Sequence, residues 1–153
     1  MDQKKDLTEL NNVHDLLVDG RKGYAEASQR ADDRRVKDLL MAFSSERATL
    51  EADLDAELRK LDPGAPHRDG TLKGDLHRTW MEVRDALSKA DNANLLAECE
   101  RGESYLLMRY DDILKNHDLA AGTRSLLQEQ RNAVQGNMDR VKTLRSQFEH
   151  IEK

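Results

Sequence analysis

Apolar residues recur along the chain at intervals of three and four. The first stripe runs Leu7, Leu10, Val13, Leu17, Gly20, Tyr24, Ala27, Ala31, the spacing of one face of a helix of about eight turns. The charged run Asp32-Asp33-Arg34-Arg35 interrupts it, and a second stripe follows at Val36, Leu40, Phe43, Arg47, Leu50, Leu54, Leu58 and Leu61. This pattern predicts a tight helical hairpin turning near Asp32 or Asp33, either of which has the side chain of an N-cap. The second helix must end by Asp62, because Pro63-Gly64-Ala65-Pro66 cannot continue it. Residues 63–70 form the main irregular connection.

A third, shorter helix of about 20 residues is predicted from near Thr71, with Leu72, Leu76, Trp80, Val83 and Leu87 on its apolar face. Asp91-Asn92 offers a break and a new cap. A fourth stripe then runs Leu96, Cys99, Glu103, Leu106, Tyr110, Ile113, His117, and a fifth from Leu119 through Leu126, Gln130, Val134, Met138, Val141, Leu144 and Phe148 to Ile151. The four longer helices are expected at about 25–33 residues, or about 40–50 Å. Long helices joined by short turns make a four-helix bundle the default all-α architecture. The short helix is then either an addition to it, as a crossover, or the first half of a broken third helix.

Composition narrows the function classes. The 153 residues suit one domain, 1–153, and the two prolines, Pro63 and Pro66, leave the rest of the chain free for helices. A net charge of −5 gives no electrostatic footprint for a nucleic-acid partner. No apolar run approaches the roughly 20 residues of a membrane span, and the N-terminal MDQKKD has no signal-peptide core. The single cysteine, Cys99, fits a reducing compartment, so a cytoplasmic protein is expected.

Several segments have a distinct identity. Leu17–Tyr24 reads LVDGRKGY, Ser45-Glu46-Arg47 lies on the second helix, and His77-Arg78-Thr79-Trp80 follows the loop. Glu98–Glu103 reads ECERGE, with Tyr110 seven residues beyond it. In order and spacing the chain resembles, over nearly its whole length, a bacterial family of ferritin-like four-helix-bundle proteins classed as a domain of unknown function. The resemblance implies a ferritin-like fold and carries no settled activity.

A ferritin-like fold raises the question of metal. Its di-metal sites take one Glu from each of two helices and Glu-x-x-His from each of the other two. Of the five histidines, His14, His67, His77, His117 and His150, none has Asp or Glu three or four residues away. A carboxylate-only site would draw on Asp19, Glu46, Glu100 and Glu103. Against it stands Arg47, which occupies the seam of its helix and would repel a cation while competing for the same carboxylates.

The competing expectation is a polar core layer. Folding the first hairpin back about residue 33 brings Asp19 level with Arg47. Folding the last about residue 118 brings Glu103 level with Ala133, one turn from Gln130. Asp19, Arg47, Glu103 and Gln130 are therefore expected to meet at mid-bundle, with Asp19 as the first partner of Arg47 and Glu103 as the second. Such layers fix register more than they add stability.

The remaining chemistry-bearing residues read as structural. Cys99 lies on an apolar stripe and reads as a buried small hydrophobe. His77 and Trp80 share a face and anchor the short helix in preference to forming a ligand pocket or oligomer contact. Gly20, Gly23 and Gly102 mark close approach to a helix, and Glu51–Glu57 is a solvated acidic face. The expected protein is a non-catalytic structural or interaction bundle, without cofactor, working as a homo-oligomer or on another protein. The alternative is a degenerate or carboxylate-only di-metal protein with oxidase, storage or stress-protective activity.

Overall fold

The computed structural model describes residues 3–64, 74–116 and 118–152. These form five helices, α1 (Gln3–Arg30), α2 (Arg34–Leu61), α3 (Gly74–Ser88), α4 (Asn92–Leu114) and α5 (Ala121–Glu152), in an all-α bundle. No strand occurs among the described residues. Most of the expected loop (65–70), the expected helix start at Thr71, and His67 and His117 lie outside them. So do the side chains of Leu76, His77, His150 and Ile151.

The turns follow from local chemistry. Asp33 caps α2, its carboxylate accepting from the backbone N–H of Arg35 at 2.8 Å and of Val36 at 3.3 Å. The helix ends at Asp62, ahead of the proline, and Gly64 takes a left-handed φ of 93° in the turn beyond it. Asp91 caps α4 through the Asn94 N–H at 3.0 Å. The fifth helix starts at Ala121, so Leu119 sits in the preceding turn. That turn is stapled by Arg124, whose guanidinium donates to the Leu114 carbonyl at 2.9 Å and to that of Asn116.

Packing joins α1 to α2 and α4 to α5 as two long hairpins, while the 15-residue α3 folds back onto α4 and touches α1. Only three residues separate α3 from α4, so they form a helical hairpin and not two halves of one broken helix. The apolar stripes close into two clusters, one at each end. Tyr24, Ala27, Leu40, Phe43, Trp80, Leu96, Cys99, Val141 and Phe148 fill the first. Leu10, Leu17, Leu50, Leu54, Leu106, Tyr110, Leu127 and Val134 fill the second. Between them, α2 contributes Arg47 and α4 contributes Glu103, both buried. The apolar core is thus divided by charge at mid-height.

Candidate functional site

Arg47 and Glu103 are 2% and 1% exposed, and Arg47 Nη2 is ion-paired with Glu103 Oε2. The same oxygen accepts the Tyr24 hydroxyl at 2.8 Å. Tyr24 also lies 5.7 Å below the guanidinium carbon and packs edge-on against Phe43 and Trp80, at 5.3 and 5.1 Å between ring centroids. One carboxylate oxygen therefore ties α4 to both helices of the first hairpin. Burial works against the Arg47 charge, but the Glu103 carboxylate outweighs it and holds the guanidinium pKa above its ordinary value. Burial, reinforced by Glu103, pushes the Tyr24 phenol well up, so it stays a neutral donor.

Asp19 is not the partner of Arg47. It is buried at 5% exposure, yet its Oδ2 accepts no hydrogen bond, and its carboxyl lines a groove between α1 and α3 beside Trp80. The reason is angular. Hairpin reflection fixes height along the bundle but not direction around the helix. Gly20 is the residue beneath Arg47, and Asp19 is about 100° around the helix from it. Burial, with Asp15 nearby, raises the Asp19 pKa from 3.8 to about 6, against the lowering effect of Lys22.

Gln130 is buried as well, but in a separate polar contact. It accepts from the Tyr110 hydroxyl at 2.7 Å and donates to the Leu50 carbonyl at 3.0 Å. The Tyr110–Gln130 and Asp111–Arg131 pairs put the mirror point of the last hairpin at about residue 120–121. Gln130 is therefore level with Tyr110, two turns from Glu103. The residue nearer Arg47 on α5 is Asn137, which donates to Glu46 Oε1 at 2.5 Å, and that oxygen is 4.0 Å from Arg47 Nη1.

The four carboxylates considered for metal do not converge. Glu103 is held by Arg47 and Tyr24, Glu46 by Asn137, Glu100 by Arg145 at 2.8 Å, and Asp19 faces α3. Among the described residues, no group of three or more His, Cys, Asp or Glu is placed to hold a metal ion. A guanidinium already occupies the centre where a di-metal site would need its cations, so the residues present do not fit that group.

Cys99 is buried in the first cluster, and burial, aided by Glu103 and Glu98, raises its thiol pKa far above the ordinary value. Gly23 lies under the Trp80 ring. Three participants escape the sequence reading: Tyr24 as donor to Glu103, Asn137 beside Glu46, and Arg145 on Glu100. Tyr24 carries a signal, one turn beyond Gly20 on the same stripe. Arg145 and Asn137 carry none, because they look like any polar residue of a surface helix.

Residues 5–116 match the family model described as "Domain of unknown function (DUF2383)", and the chain belongs to that family. The match spans α1–α4, including Arg47 and Glu103. No curated protein sequence matches the chain. No described helix is long and apolar enough to cross a membrane.

Proposed function

We propose that this family member is a non-catalytic, ferritin-like helical bundle forming one domain, 1–153. In this reading a charge-paired layer stands in place of a di-metal centre. The protein works in the cytoplasm through its helical surfaces, on further copies of itself or on another protein, with no cofactor and no nucleic-acid partner. The observation that carries the reading is the Arg47 guanidinium on Glu103 in the centre of the bundle. A fixed cation there serves as a register lock between hairpins that otherwise meet through generic leucine stripes.

The alternative, a carboxylate-only di-metal protein with oxidase, storage or stress-protective activity, requires Asp19, Glu46, Glu100 and Glu103 to turn toward one point. Three of them are already committed to other side chains. Elemental analysis of protein purified without chelators separates the readings. Near-stoichiometric iron, manganese or zinc overturns the proposal, and metal at trace level sustains it. Light scattering over a concentration series then reads self-association directly.

A further inference from the structure

We propose that the groove between α1 and α3 is a binding site for a small organic ammonium ion carrying a compact apolar body. The groove encloses about 180 Å³ and is lined by Asp19, Gly23 and Ala27 from α1 and by Trp80, Val83 and Leu87 from α3. That is close to the volume, about 150 Å³, of a cavity known to admit benzene. Its wall is firm on one side, because the Trp80 ring rests on the bare backbone of Gly23, where even a Cβ would come within 2.5 Å.

The charges choose the ligand. Arg84 and Glu26 also line the groove but pair with each other at 3.2 Å. Lys22 lines it too, on the same helix as Asp19. Among the described lining groups the Asp19 carboxylate is the buried one, 5% exposed with Oδ2 unpartnered, although the Lys22 cation acts on it through space. A buried carboxylate without a donor is costly, and an arriving N–H cation relieves that cost. Ala27, Trp80, Val83 and Leu87 offer apolar surface to the rest of the molecule. The Asp19 pKa, raised by burial and by Asp15 against the lowering effect of Lys22, agrees with a carboxylate that a further cation would stabilise.

Trp80 is the only tryptophan, so its fluorescence reports on the groove directly. We would titrate the intact protein at about pH 7.5 with benzylamine, benzyl alcohol and benzoate, which share a ring and differ in charge. The expected result is a saturable change with benzylamine, at least tenfold weaker binding of benzyl alcohol, and no binding of benzoate. Asp19→Asn should weaken benzylamine at least tenfold, and Leu87→Phe, which fills the groove without touching the charge, should do the same. The proposal is overturned by equal binding of the alcohol or benzoate, or by no saturable response to benzylamine below about 10 mM. Unchanged binding in either variant also overturns it. Should Asp19→Asn fail to fold, the selectivity of the unmodified protein among the three probes still decides.

Discussion

Gly20 lies directly beneath Arg47: a Cβ on Gly20 would stand 3.1 Å from Arg47 Nε. The missing side chain lets the arginine stem lie flat across α1 and carries its guanidinium on to Glu103 of α4. One glycine on α1 thus makes room for a cation from α2 to reach a carboxylate on α4. The ion pair and the Tyr24 hydrogen bond connect three helices at a single height, between the two apolar clusters.

Arg47→Met tests the lock. The substitution removes the cation and leaves Glu103 buried with only Tyr24 as its donor. Breaking a buried pair by removing one partner costs about 3–5 kcal/mol, which should appear as a large drop in the urea midpoint at neutral pH. Glu103→Gln in the Arg47→Met background should recover part of the loss, because it removes the stranded charge. Asp19→Asn should not couple to Arg47→Met in the same cycle, since the two side chains share no contact. An unchanged midpoint in Arg47→Met would show that the pair locks nothing.

The glycines give a paired test of packing. Gly23→Ala sets a methyl 2.5 Å from the Trp80 ring, an overlap that only displacement of the indole relieves. Overpacking of that kind costs about 1–3 kcal/mol, against the roughly 1 kcal/mol of helix propensity that alanine supplies. Net destabilisation and a shifted Trp80 emission spectrum are expected. Gly136→Ala meets nothing within 4 Å on α5, so propensity acts alone and the variant should gain up to about 1 kcal/mol. Opposite signs in thermal melts are the readout.

The helices are legible in the sequence because leucine stripes and aspartate caps are local signals. Asp33, Asp62 and Asp91 each stand where the periodicity breaks. The polar layer is legible only in part. Arg47 announces itself as a charge in an apolar register, and Glu103 likewise. Their mutual pairing depends on how two hairpins are rotated against each other, which periodicity within one helix does not encode. Reflection about residue 33 finds the right height but selects Asp19, one position from Gly20, the residue actually beneath the arginine. For the last hairpin the connection between Leu114 and Ala121 is centred near residue 118, as the reflection assumes. The Tyr110–Gln130 and Asp111–Arg131 contacts centre instead at 120–121, so α5 is staggered along α4 and reflection sets Gln130 near Glu103 when its partner is Tyr110.

Asp19 should make stability depend on pH. Its pKa is raised from 3.8 to about 6 by burial and by Asp15. Among the described residues, the charged groups around it are Asp15 and Lys22 on α1 and, across the groove, Arg84 of α3 with its partner Glu26. A carboxyl whose pKa is higher folded than unfolded favours folding in its protonated form. That contribution is fully present below about pH 4 and is lost as pH rises through about 6. Asp19→Asn should therefore be more stable than the parent above about pH 6.5, by an amount on the order of 1–3 kcal/mol. The difference should shrink toward pH 4. A pH-independent difference in urea midpoints would contradict the assignment.

Cys99 is expected to be inert in the folded protein. It is 2% exposed, and burial holds its thiol in the neutral form. A thiol reagent at about pH 8 should modify it only through opening of the bundle, so its rate should rise steeply with urea. Rapid stoichiometric modification without denaturant would place the thiol at an accessible surface.

The α3–α4 junction offers a prediction of the opposite sign. Ala90 has a φ of 54°, and its N–H bonds to the Leu87 carbonyl at 3.1 Å while that of Asp91 reaches back to Ala86 at 3.0 Å. This is the Schellman arrangement, which favours glycine at the left-handed position. An alanine there carries a steric penalty of about 1–2 kcal/mol. The next residue, Asp91, immediately caps α4, so the conformation is imposed from both sides and has no room to relax. Ala90→Gly should remove the penalty and lose part of the gain to the greater freedom of glycine in the unfolded chain. A net stabilisation of about 0.5–1 kcal/mol is expected, read as a raised urea midpoint with an unchanged slope. Ala90→Val, β-branched at the same φ, should destabilise, and a reversed order of the two variants would mean that the junction is not left-handed in solution.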